Sequence, residues 1–316
     1  LEPLYERTWS AADLHARYPV VFDDIDKARV FAAVDGDRAG VGEVTVSRWS
    51  ASWPSEAASR PSGIRRRTVL GPFDYAGSDD RMVWYPNFAD PDLFGYWDGP
   101  LLAQDELQVL EHPTLAAIRS ALLAEGLSTA TLDSARQPAP FLLQGLARVL
   151  DFDVMPCPAR PGGLYGNRFR HASWDEIEGA ITRLDPPTTT NLLALSAPYG
   201  GRGRYGLFEI RWILSAAYTA FAAAVARSGG KPVTLHTGFW GCGAFGGDPV
   251  LMTLAQWCAA SAAGVDEVVM HSIDARGAQA LVDAERLLGR VDVAGLDAAA
   301  EALEKLGRIW GVSDGN

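Results

Sequence analysis

The densest chemistry in the sequence lies between Val233 and Gly264, VTLHTGFWGCGAFGGDPVLMTLAQWCAASAAG. Five glycines fall within the ten residues Gly238–Gly247, and Asp248-Pro249 follows at once. Glycine carries no Cβ, so backbone N–H groups in such a run can turn inward toward a bound anion. Asp248 is an N-cap type and Pro249 suits a first helical position, so a helix begins where the glycines end. A helix start adds unpaired donors and about half a positive charge. Loop and helix start together make a place for a phosphate, although the Asp248 carboxylate already uses part of that potential. The plainer reading is a glycine turn that merely packs tightly. Trp240 and Phe245 inside the loop favour a ligand surface as well.

Carboxylates supply the second candidate. Gln104-Asp105-Glu106 sets two acids side by side at a loop-to-helix junction. Adjacent carboxylates repel, and a partly buried one keeps its proton near neutral pH. Such a group can protonate a leaving group and then activate water. From spacing alone, a charged first helical turn favoured by the helix dipole accounts for these residues better. His271-Ser272-x-Asp274 has triad residue types, but neighbours along a strand face opposite ways and there is no G-x-S-x-G. His112, before Pro113, reads as a helix-start residue. Gly241-x-Gly243-x-x-Gly246 formally fits the dinucleotide fingerprint, with Asp274 at the end of the next strand, so a Rossmann dehydrogenase stays open. Against it stand the late position of the motif and the bulk of Trp240 and Phe245.

Elements must hold these groups in place. Val233–His236 reads as a buried strand, and Val250, Leu251, Leu254, Trp257 and Cys258 give the next helix one apolar face, ended by Gly264. Helices are predicted over Ala11–Tyr18, Asp24–Val34, Gln104–Leu110, Thr114–Leu123, Leu207–Arg227, Ala278–Leu288 and Leu296–Leu306. Strands are predicted over Thr68–Leu70, Met82–Tyr85, Asn191–Ser196 and Val265–Ile273, while Phe141–Met155 is ambiguous. Arg65–Arg67 reads as a solvated strand edge. Alternating strands and helices in the second half imply α/β layers. Ser52–Gly63 is rich in Ser, Pro and Ala and marks a boundary. It divides an N-terminal accessory helical region, 1–62, from the domain 63–316.

Composition narrows the classes. With 316 residues, 48% of them hydrophobic, the chain can bury a sizeable core. A net charge of −11 opposes general nucleic-acid binding without excluding a small anion held by local donors. Cys157, Cys242 and Cys258 lack zinc-ligand spacing, and three cannot make a disulfide framework. Reduced thiols suggest the cytoplasm. No apolar run approaches the ~20 residues of a membrane span, and LEPLYERTWS lacks the apolar centre of a signal peptide. The expectation is a cytoplasmic monomer with no metal and no cofactor.

WGCGAFGGD, Trp240–Asp248, resembles the signature loop of the poly(ADP-ribose) glycohydrolases, whose domain is a macrodomain. The resemblance continues through Leu251, Gln256 and Ala259–Ala263 to the strand ending at Ile273. Upstream, NFADPDLFGYWDGPLLAQDELQVLEHPTL is similar to the family's catalytic segment, with Asn87-to-Gln104 spacing kept and Pro113 and Leu115 in place. Together these cover about Thr68 to Gly289. They imply a macrodomain-like three-layer α/β/α sandwich with a mixed sheet and an N-terminal helical extension. They also imply hydrolysis of an ADP-ribosyl glycosidic bond.

Residue by residue, the resemblance gives Glu106 the role of catalytic acid and base and Asp105 that of positioning the distal ribose. Gln104 belongs to the same segment. Gly241, Cys242, Gly243, Ala244, Phe245, Gly246 and Gly247, with Trp240, would cradle the diphosphate, and Phe245 would lie against the distal ribose. Tyr165 would close over the ligand, and Asp74, ending GPFD, would bind the adenine amino group. The chain also departs from the family. Three glycines become Phe94-Gly95-Tyr96, where two aromatics should block or reshape the loop. Asp90 replaces an asparagine at the ribose, Phe239 an asparagine in the signature loop, and Ser272 the phenylalanine beside adenine. The extra carboxylate at Asp90 suits a cationic leaving group such as ADP-ribosylated arginine. A non-catalytic ADP-ribose-binding module and a glycosidase acting on NAD or another nucleotide sugar remain open.

Overall fold

The computed structural model describes residues 1–54 and 60–315. One eight-stranded sheet runs through it. In chain order the elements are β1 (Pro3–Ser10), α1 (Ala11–Arg17), α2 (Ile25–Ala33), β2 (Glu43–Trp49), β3 (Arg65–Leu70), β4 (Met82–Asn87), α3 (Gln104–Glu111), α4 (Thr114–Ala124), β5 (Phe141–Phe152) and α5 (Trp174–Glu178). Then come β6 (Ile181–Ala194), α6 (Leu207–Ala226), β7 (Val233–Thr237), α7 (Pro249–Ala263), β8 (Glu267–Ser272), α8 (Ala275–Val291) and α9 (Leu296–Lys305). The strand order is β1-β2-β5-β6-β4-β7-β8-β3. β1, β2, β5 and β6 pair antiparallel, and β6, β4, β7, β8 and β3 pair parallel. That order is not the one of a dinucleotide-binding Rossmann sheet.

Helices cover both faces. Trp84 points into a core with α6, α7, α8 and α9, while its neighbour Tyr85 points into a second core with α1, α2, α3 and α4. Leu193 and Leu192 divide in the same way. This alternation is what a strand buried on both faces requires. The result is a three-layer α/β/α sandwich with a mixed sheet.

Several elements differ from expectation. The N-terminal region does contain α1 and α2, but it also supplies β1 and β2, which extend the sheet beyond β5. The sheet therefore does not stop at the expected boundary near 62; residues 55–59 of that stretch lie outside the described ones. β5 resolves the ambiguous segment as a strand. β6 starts ten residues before the expected Asn191, because Pro186 and Pro187 hide a strand that is only half buried there. Arg65–Arg67 opens β3, which is indeed a sheet edge.

α7 is buried from Val250 through Ser261 on every side, not on one face, because α6 and α8 flank it and the sheet lies beneath. α6 has 20 residues and is apolar enough to cross a bilayer by length, against the expectation that no run approaches that size. Ten of its residues are packed into the core, beside α7 and α9.

Candidate active site

The parallel strands β4, β6, β7, β8 and β3 end on one rim, at Asn87, Ala194, Thr237, Ser272 and Leu70. Ligands of open α/β sheets gather at such carboxyl ends. β7 is buried throughout and leads into the glycine loop. Gly241 and Gly246 take φ of 73° and 69°, a region that side chains disfavour. A Cβ on Gly241 would stand 2.4 Å from the Cβ of Ala197, so the tight packing is real.

The loop uses some of its amides internally. Cys242 N donates to Phe239 O, Gly246 N to Gly243 O and Gly247 N to Gly241 O, at 2.8–3.0 Å. Among the described residues, the amides of Gly243, Ala244 and Phe245 have no backbone acceptor. The amides of Gly238, Phe239 and Gly241 likewise have none, so the unspent donors spread along the run and include the consecutive trio Gly243–Phe245. Trp240 is a correction: it is 1% exposed, packs in the core, and its Nε1 donates to Leu195 O at 3.1 Å. Its indole anchors the loop from beneath and offers no face to a ligand. Phe245 stays half-buried, its ring 5.6 Å from that of Tyr199. Cys242 is partly buried, and burial pushes its thiol up, so it is no nucleophile at neutral pH.

Asp248 caps α7 by accepting from Leu251 N at 2.8 Å. Arg308 then grips both of its carboxylate oxygens, at 2.9 and 2.6 Å. The arginine cancels the charge that would otherwise oppose an anion at the helix start. Arg308 was not legible from the sequence, since it lies 60 residues from its partner.

The second half of the site is α3. Gln104 spends its side chain on the end of β4: Oε1 accepts from Phe88 N at 2.8 Å and Nε2 donates to Pro86 O at 2.9 Å. It positions the helix. Asp105 Oδ1 accepts from Asn87 Nδ2 at 2.9 Å, and Asn87 also donates to Gln108 Oε1 at 2.9 Å. Glu106 turns back so that Oε2 accepts from Ala103 N at 3.0 Å. Both acids are buried, and burial raises both pKa values. Asp105 is further raised by the charge of Glu106, and the charge of Asp90 raises both. Asp90 is itself raised, first by burial. Spacing alone favoured a plain charged helical turn; burial of the pair is what departs from it.

A residue outside every sequence motif faces this group. Lys27 of α2 is fully buried and its Nζ donates to Trp97 O at 2.9 Å. Burial lowers its pKa to about 8, and the charge of Glu106 is the strongest influence opposing that. Reciprocally, Lys27 lowers Glu106. One signal was available: Lys27 lies on the face of α2 that carries Val30 and Val34, where a lysine is out of place.

The two aromatics of the Phe94-Gly95-Tyr96 loop part ways. Phe94 takes φ of 54°, the left-handed conformation of a glycine, and its ring is fully buried in the core with Leu93 and Leu102. Tyr96 is 63% exposed.

Tyr165 is locked to α3 from outside. Its hydroxyl accepts from Gln104 N at 3.2 Å, and Gly166 exchanges two backbone bonds with Leu102. The ring stays 39% exposed while its hydroxyl end is sunk, and burial raises its pKa. Asp74, after β3, accepts from Tyr85 OH at 3.0 Å and Ala76 N at 3.2 Å. Burial pushes its pKa up, but those bonds and the charges of His236 and His271 hold it low. Phe73 beside it packs edge-on against His271 and Phe88.

The two halves meet across β4 and β7. The pairing Trp84↔Leu235 puts Asn87 and Gly238 three residues further along the two strands. A Cβ on Gly238 would touch the Phe88 ring at 3.7 Å, and Phe88 N is the group held by Gln104. The glycine loop and α3 thus share one rim. The triad residue types do not come together: Ser272 Oγ donates to Asp274 O, Asp274 caps α8, and His271 pairs with His236 at 2.9 Å. His112 ends α3, its Nδ1 on Gln108 O, and also stands at the start of α4, its carbonyl accepting from Leu115 N at 3.0 Å.

Residues 188–279, from β6 through the glycine loop into α8, match the family profile described as poly(ADP-ribose) glycohydrolase (PARG), macro domain fold. Over this span the chain is similar to the macro domain of the poly(ADP-ribose) glycohydrolases. The match begins after α3, so it does not reach Asp105 or Glu106. No curated protein shows a significant match. Among solved structures, the chain is similar to PARG from Thermomonospora curvata, at 16% identity and TM-score 0.48, covering 89% of this chain and 85% of that one. The same enzyme bound to the inhibitor ADP-HPD gives 18% and 0.49, covering 87% and 96%. PARG from Deinococcus radiodurans in complex with ADP-ribose gives 13% and 0.42, covering 95% of each.

Proposed function

We propose that this chain hydrolyses the glycosidic bond of an ADP-ribosylated substrate, with Glu106 as acid and then base. The observation that carries the reading is a glycine loop matching the PARG profile on the same sheet rim as a buried Glu106 whose pKa burial raises. Protonated Glu106 gives its proton to the leaving atom as the bond to the anomeric carbon breaks. The charge develops as an oxocarbenium ion. The Glu106 carboxylate then takes a proton from water, whose hydroxyl adds to that carbon. The chemistry draws on no metal and no cofactor.

The amides of Gly243, Ala244 and Phe245 hold the diphosphate at a helix start relieved of its acidic charge by Arg308. Phe245 lies against the distal ribose, Asp105 and Asp90 position it, and Tyr165 closes over it. Asp74 meets the adenine amino group with the carboxylate oxygen not spent on Tyr85. Phe239 stands beside Ser272, both within 2.7 Å of where a Cβ on Gly277 would be. The ring lost at Ser272 is thereby supplied from the loop. Asp90 favours a cationic leaving group such as arginine. A cytoplasmic monomer without general nucleic-acid or membrane binding completes the reading.

One observation favours a second reading. Glu106 Oε2 is bonded back to Ala103 N, as in a residue that caps its helix. In that case the protein is a reader that binds ADP-ribose without cleaving it. Mass-spectrometric detection of ADP-ribose released from poly- and arginine-ADP-ribosylated proteins tests the enzyme. Tight ADP-ribose binding in calorimetry with no release from either substrate selects the reader.

A further inference from the structure

The chain after α9 crosses the glycine loop. Arg308 is fixed to Asp248, and Trp310 stacks on Tyr205 with ring centroids 4.3 Å apart, its amide donating to Gly203 O. Trp310 is 8% exposed. Beyond this anchor the character changes. Gly311 N donates to Gly246 O at 2.8 Å, and Asp314 N to Gly243 O at 3.4 Å. Gly315 O accepts from Asn167 Nδ2 at 3.0 Å, two residues from Tyr165. Asp314 Oδ2 lies 2.9 Å from where a Cβ on Gly243 would stand. The segment therefore runs from the start of α7, along the glycine loop, to the loop of Tyr165.

We infer that Gly311–Gly315 is a displaceable strap over the diphosphate cradle, with the Asp314 carboxylate occupying the ground of a phosphate. The inference rests on the ADP-ribose reading of this site. Three features carry it. The strap lies on Gly243–Gly247, the stretch that includes the unspent amides of Gly243, Ala244 and Phe245. Its one acidic side chain is the part nearest Gly243, so negative charge sits where the ligand's negative charge must go. And no apolar side chain nails it down: Val312 is 91% exposed, so polar bonds rather than apolar burial fix it. Bonds of that kind, open to water, are each worth little net and open readily. The anchor at Arg308 and Trp310 stays while the strap, from Gly311 onward, swings away. Apparent ligand affinity is reduced by the fraction of molecules in which the strap is closed.

Calorimetry with ADP-ribose on wild type, Asp314→Asn and a chain lacking 311–316 tests this. The expected result is tighter binding by about threefold in Asp314→Asn and about tenfold in the shortened chain. Hydrogen exchange gives a second readout on the unaltered protein: the Gly311 amide exchanges faster when ADP-ribose saturates the site. If wild type binds and both variants bind equally well or more weakly, the strap is refuted while the functional reading stands. If none of the three binds, the ADP-ribose reading fails and takes the strap with it.

Discussion

Asn87 Nδ2 stands 2.9 Å from Asp105 Oδ1, and the same amide nitrogen is 2.9 Å from Gln108 Oε1. One fully buried asparagine at the end of β4 thus holds two successive turns of α3, with Glu106 between them. The place of the proposed acid is set by the sheet, not by the helix alone. Asn87→Ala leaves a buried acid and a buried amide short of a donor. Urea unfolding should show a loss of about 1–3 kcal/mol, and turnover should fall more than ADP-ribose affinity.

The acid limb of stability follows from buried imidazoles. Burial lowers His236 to about 4 and His112 to about 3. Unfolded, each titrates near 6.5, so the unfolded state takes up protons first as pH falls. Their contribution is complete above that pH and is lost on the way down toward 4. Denaturant midpoints should therefore fall across that window, and His236→Gln should make the fall shallower.

The alkaline limb of turnover follows from Glu106. Burial raises its pKa, which extends the protonated form to higher pH, and activity is lost as pH climbs through that pKa. Lys27 opposes that shift. Lys27→Met removes the positive charge, so the alkaline limb should move to higher pH. A pH–rate profile identical to wild type would mean that Lys27 serves only to hold Trp97.

Much of this was legible in the sequence. Gly238–Gly247 with Asp248-Pro249 fixes a strand, a turn and a helix start, because glycine conformations and capping are local properties. The ligand roles assigned to that loop were less legible. Trp240 is an anchor because Leu195, from another strand, accepts its N–H, and no spacing reports a partner 45 residues away. Lys27 and Arg308 act across the fold for the same reason. The edge strand β1 escaped notice because a strand half exposed to water carries a weak alternation, and β2 because its residues are buried almost continuously and show no period of two. At Phe94 the opposite happened: the residue type changed while the backbone kept a glycine's φ.

That residue allows a discriminating measurement. Phe94→Ala should cost about 3–5 kcal/mol for the lost burial. Phe94→Gly removes more of the side chain, yet should cost about 1 kcal/mol less than Phe94→Ala, because the left-handed backbone ceases to be a burden. Paired urea titrations decide the order.

Asp90 bears on the substrate. Its carboxylate lies near two other acids and is itself raised by burial. If it favours a cationic leaving group, Asp90→Asn should slow release from ADP-ribosylated arginine by about tenfold and leave serine-linked ADP-ribose nearly untouched. Equal rates on arginine before and after the change remove the proposed preference.

The central claim is that Glu106 delivers the proton while the glycine loop holds the ligand. Glu106→Gln keeps size and polarity and removes only the ionisable group, so ADP-ribose affinity from calorimetry should change by no more than about twofold, and the rate of ADP-ribose release should drop by about a thousandfold. A variant that still releases ADP-ribose at the wild-type rate, or one that keeps its fold but loses binding and release together, contradicts the role given to Glu106.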